Sequence, residues 1–333
     1  MTGTETVLAI EDLTVDLPLS GGGRFRALDR VNLQVRRGEI LGLVGESGSG
    51  KSMLSLAVLG LTGIAGERIT GRIALLGEDV LGLSPSAWRR LRGSAVGMVF
   101  QDPMTGLNPV RSIGSLLVES VRRHQRLDRA TSKTVALDAL RSVGIPSPEA
   151  RMKAYPHQLS GGLRQRVMIA LALINRPSVI IADEPTTALD ATIQAQILDL
   201  LRARLADRAG GILITHDLGV AAEVCQRLAV IYQGTIVEQG QTAEVLAWPY
   251  HPYTQGLLDA APRFDRPRGR LVPIPGQPPQ PGDRREGCPF RSRCAHADEA
   301  CAALPVLAEV APDHLARCWH PLRAATSPFE DAV

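Results

Sequence analysis

Apolar and polar positions alternate over part of residues 7–17, the period of a strand with one buried face. Two further apolar runs, around 31–35 and 40–44, predict two more strands, and 20–23, Ser-Gly-Gly-Gly, reads as a turn between elements. A Gly-rich loop and a helix over about 52–61 come next, then strands at 73–76 and 96–100. Residues 104–159 lack strand-like runs, and stretches such as 131–143 repeat at the helical period, so this part predicts a helical insert. The continuous apolar run 179–182 predicts a strand buried on both faces, and 211–215 predicts another. Runs at 228–232 and 235–238 flank Gln233-Gly234, the pattern of a hairpin. Strands alternating with helices predict an α/β core with a largely parallel sheet.

Composition adds limits. A chain of 333 residues, 44% hydrophobic and 21% charged, has room for one large globular domain with an appendage. A net charge of +3 gives no argument for nucleic acid. The apolar stretch 53–65 is interrupted by Ser55, Gly60, Thr62 and Gly63 and is too short to span a bilayer. Residues 1–16 carry Glu5, Glu11 and Asp12 without a basic segment followed by an apolar one, so no signal peptide is expected and the chain is expected to stay in the cytoplasm. Beyond Ala261 the composition changes. Residues 262–281 are dense in proline and hold several arginines, predicting an extended linker or wrapping arm. Cys288, Cys294, Cys301 and Cys318 follow, while Cys225 stands apart. In a reducing compartment such a cluster suggests metal more than disulfides. The spacing has neither the tight C-x₂-C pairs of zinc sites nor a ferredoxin pattern, so an iron–sulfur centre, zinc, and free thiols or disulfides all stay open.

Gly45-Glu46-Ser47-Gly48-Ser49-Gly50-Lys51-Ser52 matches G-x-x-x-x-G-K-[ST] in full, after a predicted strand and before a predicted helix. Its glycines let backbone N–H groups converge on phosphate, and the helix N-terminus adds favourable dipole charge. Lys51 is expected to reach the β/γ-phosphates of a nucleotide and the Ser52 hydroxyl to bind Mg²⁺. The apolar strand ending in Asp183-Glu184 supplies acids at a strand's C-terminal end, where α/β sheets bind ligands. Asp183 is expected to help hold Mg²⁺ through water, and Glu184 to polarise the attacking water as general base.

Leu159-Ser160-Gly161-Gly162-Leu163 resembles the signature of ATP-binding cassette ATPases, which usually reads Leu-Ser-Gly-Gly-Gln. Ser160, Gly161 and Gly162 would expose N–H groups at a helix start, a second anion site. The remaining motifs of that family stand in order over residues 8–256. The resemblance implies that Gln101 belongs to a loop that senses Mg²⁺ and contacts a membrane subunit. It implies that Asp190, in Ala188-Leu189-Asp190, lies in a loop crossing a dimer of cassettes, that His216 contacts the γ-phosphate, and that Phe25, shortly before the second strand, stacks on adenine. The fold class it implies is α/β, a P-loop NTPase cassette with a mixed or parallel sheet and a helical subdomain. The cassette would occupy 7–260, with its helical insert at about 104–165, and a small cysteine-containing extension would occupy 261–333.

Gln101-Asp102-Pro103-Met104-Thr105-Gly106-Leu107-Asn108-Pro109, Tyr155-Pro156-His157-Gln158 and His251-Pro252-Tyr253-Thr254-Gln255-Gly256-Leu257-Leu258 resemble the ATPases of dipeptide, oligopeptide and nickel importers. That resemblance implies an ATPase energising solute import, peptides first and nickel or another small solute as the alternative. It further implies two integral membrane permease subunits, a second cassette ATPase, an extracytoplasmic solute-binding protein, no nucleic acid, and a peripheral place on the cytoplasmic face of the cell membrane. Some such ATPases carry a [4Fe–4S] cluster in this extension, so the resemblance implies one on the four cysteines. A soluble cassette of translation or DNA repair is the reading from another class. Against it stand the single cassette in the chain and the short, cysteine-free insert. A metalloprotein centred on the cysteine tail is the other, and the complete ATPase motif set argues against it.

Overall fold

The computed structural model describes residues 5–19, 21–187, 189–205, 209–261, 272–279 and 286–323. The chain divides into two compact units. One comprises Met1–Leu8, Gln34–Ile40 and Ala74–Ile214; the other comprises Ala9–Leu33, Leu41–Ile73 and Thr215–Val333.

In the first unit, three parallel strands are ordered Gly210–Thr215, Val179–Asp183, Val96–Val99. Every residue of Val179–Asp183 is buried, as the continuous apolar run requires. The helices of this unit include Ile113–Gln125, Arg129–Ser142 and Gly161–Leu173, which pack on one another. Ile113, Leu117 and Val121 recur along one face of the first helix and are fully buried. Ser112 and Asp128 cap the first two helices by accepting hydrogen bonds from first-turn N–H groups. The expected helical character of 104–159 is thus present, and among the described residues this stretch holds no strand.

The second unit centres on strands ordered Ala308–Ala311, His314–Ala316, Thr235–Gln241, Arg227–Tyr232, Ile40–Val44. Thr235–Gln241 and Arg227–Tyr232 form the expected antiparallel hairpin, and residues 41–44 run parallel to 227–230. A separate four-stranded sheet orders Arg24–Arg36, Thr6–Pro18, Arg68–Leu75 and Glu78–Asp79. Two of its strands reach further than their apolar runs predict. Cross-strand ion pairs carry the polar parts: Arg26 to Asp16 at 2.9 Å and Arg72 to Glu11 at 3.2 Å. Phe25 therefore lies inside a strand, half-buried, and not before it.

The cysteine-bearing tail supplies two strands, Ala308–Ala311 and His314–Ala316, that add to the sheet of the hairpin. Glu238 and Gln239 pair with Ala316 and Leu315, and Arg317 N donates to the Val237 carbonyl at 2.8 Å. Fully buried Glu238 secures the join by accepting from Tyr250 N (2.7 Å), His251 N (3.0 Å) and His314 Nε2 (2.7 Å). Backbone pairing to an existing sheet gives a short segment with little core of its own an anchored conformation. Of the expected linker, 272–279 is described, while 262–271 and 280–281 lie outside the described residues. No helix among the described residues is long and apolar enough to cross a membrane.

His251 caps the helix Pro252–Ala260, its Nδ1 accepting from Tyr253 N at 3.0 Å, so the ring proton sits on Nε2. Burial lowers its pKa to about 4, although the Glu238 charge raises it. Between pH 4 and 6.5 the unfolded chain binds a proton here that the folded chain refuses, so stability falls as pH drops through that window. The loss attributable to His251 should approach about 3 kcal/mol at pH 4. In denaturant titrations from pH 7 to 4.5, His251→Asn, which keeps a capping acceptor, should lose markedly less stability than the unaltered chain.

Candidate nucleotide site and carboxy-terminal thiol cluster

The phosphate loop leaves the buried strand Ile40–Val44 and enters the helix Lys51–Val58. Its shape depends on two glycines. A Cβ on Gly45 would lie 2.3 Å from the Ile231 carbonyl oxygen, and Gly50 has φ +108°, which a side chain disfavours. Lys51 is buried, with Nζ donating to the carbonyls of Gly45 (2.7 Å) and Glu46 (2.8 Å), so its ammonium is held inside the loop. Ser52 is exposed at the helix start. Ser47 and Gly48 are exposed, and Glu46, Ser47, Gly48 and Ser49 line a cavity of about 340 Å³ with Phe25 and Gly234. The cavity thus brings together the predicted aromatic and the predicted phosphate loop. Its wall also includes Gln277, Pro278 and Pro279 of the tail, which the sequence reading did not assign to the site.

Glu46 is fastened from two sides. Its N–H donates to Tyr253 Oη at 2.8 Å, and its carboxylate receives a two-pronged ion pair from Arg293, Nη1 at 2.6 Å and Nη2 at 3.1 Å. Burial of the guanidinium would lower its pKa, but hydrogen bonds with Glu46 and Tyr232 outweigh that and raise it. Burial likewise raises the pKa of Tyr253. Tyr232, Tyr253 and Phe290 form one aromatic cluster, with ring centroids 4.6 to 5.3 Å apart.

In the other unit, Asp183 is the buried last residue of its strand and Glu184 follows at φ +44°. A non-glycine residue in the left-handed region is uncommon and concentrates at functional sites. The Glu184 backbone N–H donates to the Ile214 carbonyl at 2.9 Å. Its carboxylate Oε2 accepts from Gln101 Nε2 and from Thr187 Oγ1, each at 2.9 Å. The structure therefore brings predicted Gln101 and Glu184 together and adds Thr187, which carries no sequence signal of its own. Ser160, exposed, stands at the N-cap of Gly161–Leu173 without a side-chain cap bond, and Gly161 has open space around it, so the helix start is accessible. Asp190, exposed, accepts from Ile193 N at 3.0 Å; Ala188 of the same motif lies outside the described residues. His216, in the second unit, is exposed at the end of Gly210–Thr215.

The chain matches the ABC transporter family model over residues 28–187 and the model for the C-terminal region of oligopeptide/dipeptide transporters over 237–301. It is 45% identical, over 91% of its length and 94% of theirs, to the dipeptide transport ATP-binding protein DppD of Escherichia coli. The chain belongs to the ABC transporter ATP-binding family. This cassette is also 43% identical to the oligopeptide transport ATP-binding protein OppD of Escherichia coli, over 96% of this chain and 94% of that one. The dimeric post-hydrolysis structure of the ATP-binding cassette MJ0796, bound to ADP and phosphate, superposes with a TM-score of 0.63 at 26% identity, covering 71% of this chain and 98% of that one.

The tail of the cassette gathers its four cysteines. All are free thiols. Burial raises the pKa of Cys288 and Cys294, and Cys318 is pushed up to about 11 by burial and by the other three cysteines. Cys294 and Cys318 sulfurs accept from the N–H groups of His296 (3.4 Å) and His320 (3.3 Å), two residues on in each case. Among the described residues, the His, Cys, Asp or Glu ligand atoms lying within 4.8 Å of one another belong to Asp298, Cys301 and His320; no three of the cysteine sulfurs come that close. Asp298 and His320, paired at 2.9 Å, escaped the sequence reading because no spacing rule links them to Cys301.

Lys51→Ala removes the ammonium held in the loop. It should weaken nucleotide binding at least tenfold and lower turnover with it, as expected if the charge meets phosphate in ground and transition states alike. Calorimetric titration with MgATP, alongside steady-state turnover, checks both.

Proposed function

We propose that this cassette hydrolyses ATP to ADP and phosphate and thereby energises import of di- or oligopeptides through a membrane transporter. The observation that carries the chemical half is Glu184, fixed at a strand end by hydrogen bonds from Gln101 and Thr187. A carboxylate whose orientation is set by two donors can take a proton from an attacking water without first reorganising. The phosphate loop, Gly45 to Ser52, binds the phosphates through backbone N–H groups and Lys51. Ser52, Gln101 and Asp183 offer the hydroxyl, amide and carboxylate oxygens that suit Mg²⁺, which neutralises charge on the phosphates when bound. His216 contacts the γ-phosphate, and Phe25 packs on the adenine.

Ser160, Gly161 and Gly162 present their open helix start to a nucleotide held by an opposing cassette, and Asp190 lies in the loop between the two. Two permease subunits, a second cassette and an extracytoplasmic binding protein complete the assembly, which places this chain on the cytoplasmic face of the cell membrane. Binding of ATP closes the cassette pair, and hydrolysis reopens it. The cassette spans 7–260 and the extension 261–333. Support for peptides as cargo comes from the likeness to dipeptide and oligopeptide transport proteins along nearly the whole chain and from the matched C-terminal region.

Glu184→Gln keeps the hydrogen-bonding size of the side chain and loses the base. With permeases and companion cassette present, its ATPase rate should fall by about 10² or more while MgATP affinity holds. Retained turnover would remove Glu184 from its role.

The extension, we further propose, holds a [4Fe–4S] cluster on Cys288, Cys294, Cys301 and Cys318. Four thiols within electrostatic reach of one another, two of them already accepting N–H bonds at sulfur, are donors of the right kind. A single tetrahedral zinc would need sulfurs roughly 3.8 Å apart, at Zn–S distances of about 2.3 Å, and no three of the cysteine sulfurs lie within 4.8 Å of one another. Anaerobic purification should yield brown protein with iron and sulfide, both lost in Cys294→Ser. A colourless preparation with one zinc and no sulfide would refute the cluster.

A further inference from the structure

The cavity beside the phosphate loop has a wall made by the tail, and one arginine holds that wall in place. Arg293 Nε donates to the Pro275 carbonyl at 2.8 Å, while its two Nη groups grip Glu46 of the phosphate loop and Nη1 also reaches Tyr232 Oη at 3.3 Å. The Arg293 side chain is 3% exposed and that of Glu46 24%, so the pair is largely shielded from water. Two more contacts fix the segment leading into the wall. Val272 N donates to the Asp259 carbonyl at 3.3 Å, and Ile274 packs so closely on Gly256 that a Cβ there would lie 3.1 Å from Ile274 Cγ1. Gly276, at φ +71°, then turns the chain toward the cavity, where Gln277, Pro278 and Pro279 face Phe25, Gly48 and Gly234. A planar guanidinium that binds a carboxylate with one edge and a backbone carbonyl with the other fixes two loops in a single geometry.

We propose that the carboxy-terminal extension completes the nucleotide pocket: Gln277, Pro278 and Pro279 contact the nucleoside of bound ATP, and Arg293 is the positioning residue that holds this wall against the phosphate loop. The inference rests on the ATP-binding reading and deepens it. The wall is rigid before ligand arrives, because two prolines restrict the backbone, and a preformed apolar surface with one amide suits a base. Gln277 offers both a donor and an acceptor to the edge of that base. The tail is thereby an element of nucleotide affinity, and any change that loosens it around Arg293 should be felt as weaker ATP binding.

Calorimetry on the full chain separates the parts, with MgATP reading the whole pocket and inorganic tripolyphosphate reading the phosphate loop alone. Gln277→Ala, at an exposed position, should weaken MgATP about fivefold and leave tripolyphosphate unchanged. Arg293→Ala should weaken MgATP about tenfold or more, and Arg293→Lys should recover only part, since it keeps the charge and loses the fork. Wild-type MgATP affinity in both Gln277→Ala and Arg293→Ala, beside normal binding by the unaltered chain, would overturn the wall alone. So would tighter binding in either variant, the mark of a plug, or an Arg293→Ala loss equal for tripolyphosphate while Gln277→Ala is unaffected. If the unaltered chain binds neither ligand, the ATP reading falls and takes this inference with it.

Discussion

The phosphate loop closes around Lys51 only where the hairpin Arg227–Tyr232/Thr235–Gln241 lets it. The Ile231 carbonyl oxygen fills the space that a side chain on Gly45 would need, and Gly234 N donates to the Ser49 carbonyl at 2.7 Å. Gly234 in turn accepts from Asp29 N at 2.8 Å, at a point where its own Cβ would meet the Ala27 carbonyl at 2.1 Å. Three backbones thus meet at van der Waals distance through glycines, and what they leave over is the outward-facing set of loop N–H groups that an anion can use. The strand with Phe25, the hairpin and the tail all take their places by contact with this arrangement.

Charge is also buried where the tail joins the rest of its unit. Arg293 and Glu238 both come from or receive the tail, and both are paired: one with Glu46, the other with His314 and two backbone N–H groups. Breaking either would leave a charge with few compensating bonds in a shielded place, which costs more than the pair itself contributes. Such pairs contribute chiefly to geometry, and here they hold a segment with little apolar surface of its own. The aromatic cluster of Tyr232, Tyr253 and Phe290 supplies the apolar contact that the pairs lack.

On the acidic side, Glu184 combines a strained backbone with a fully specified side chain. A left-handed φ at a non-glycine residue is retained when neighbours over-determine it, and the bonds from Glu184 N to Ile214 and from Gln101 and Thr187 to the carboxylate do so. The strain is local to the residue whose proposed work is proton transfer, where a fixed orientation matters most.

Motif chemistry was legible from residue types at fixed spacing: the loop from Gly45 to Ser52, Asp183-Glu184 after an apolar strand, and the glycine pair after Ser160 are local, and local chemistry is written in order along the chain. The strands Ile40–Val44, Val179–Asp183 and Gly210–Thr215 were equally legible, since burial on both faces leaves an unbroken apolar run. Strands built on polar residues were not: Arg24–Arg36 begins before its apolar run because Arg26 finds Asp16 across the sheet. Nor was the place of the tail. Glu46 and Arg293 are 247 positions apart, Glu238 and His314 76, and no periodicity or spacing joins them. By itself the sequence determined where the phosphate-loop motif stands and which strands would be buried. Only the tertiary structure decided that a proline-rich tail lines the cavity beside the phosphate loop, because a long-range ion pair depends on two loops reaching the same point in space.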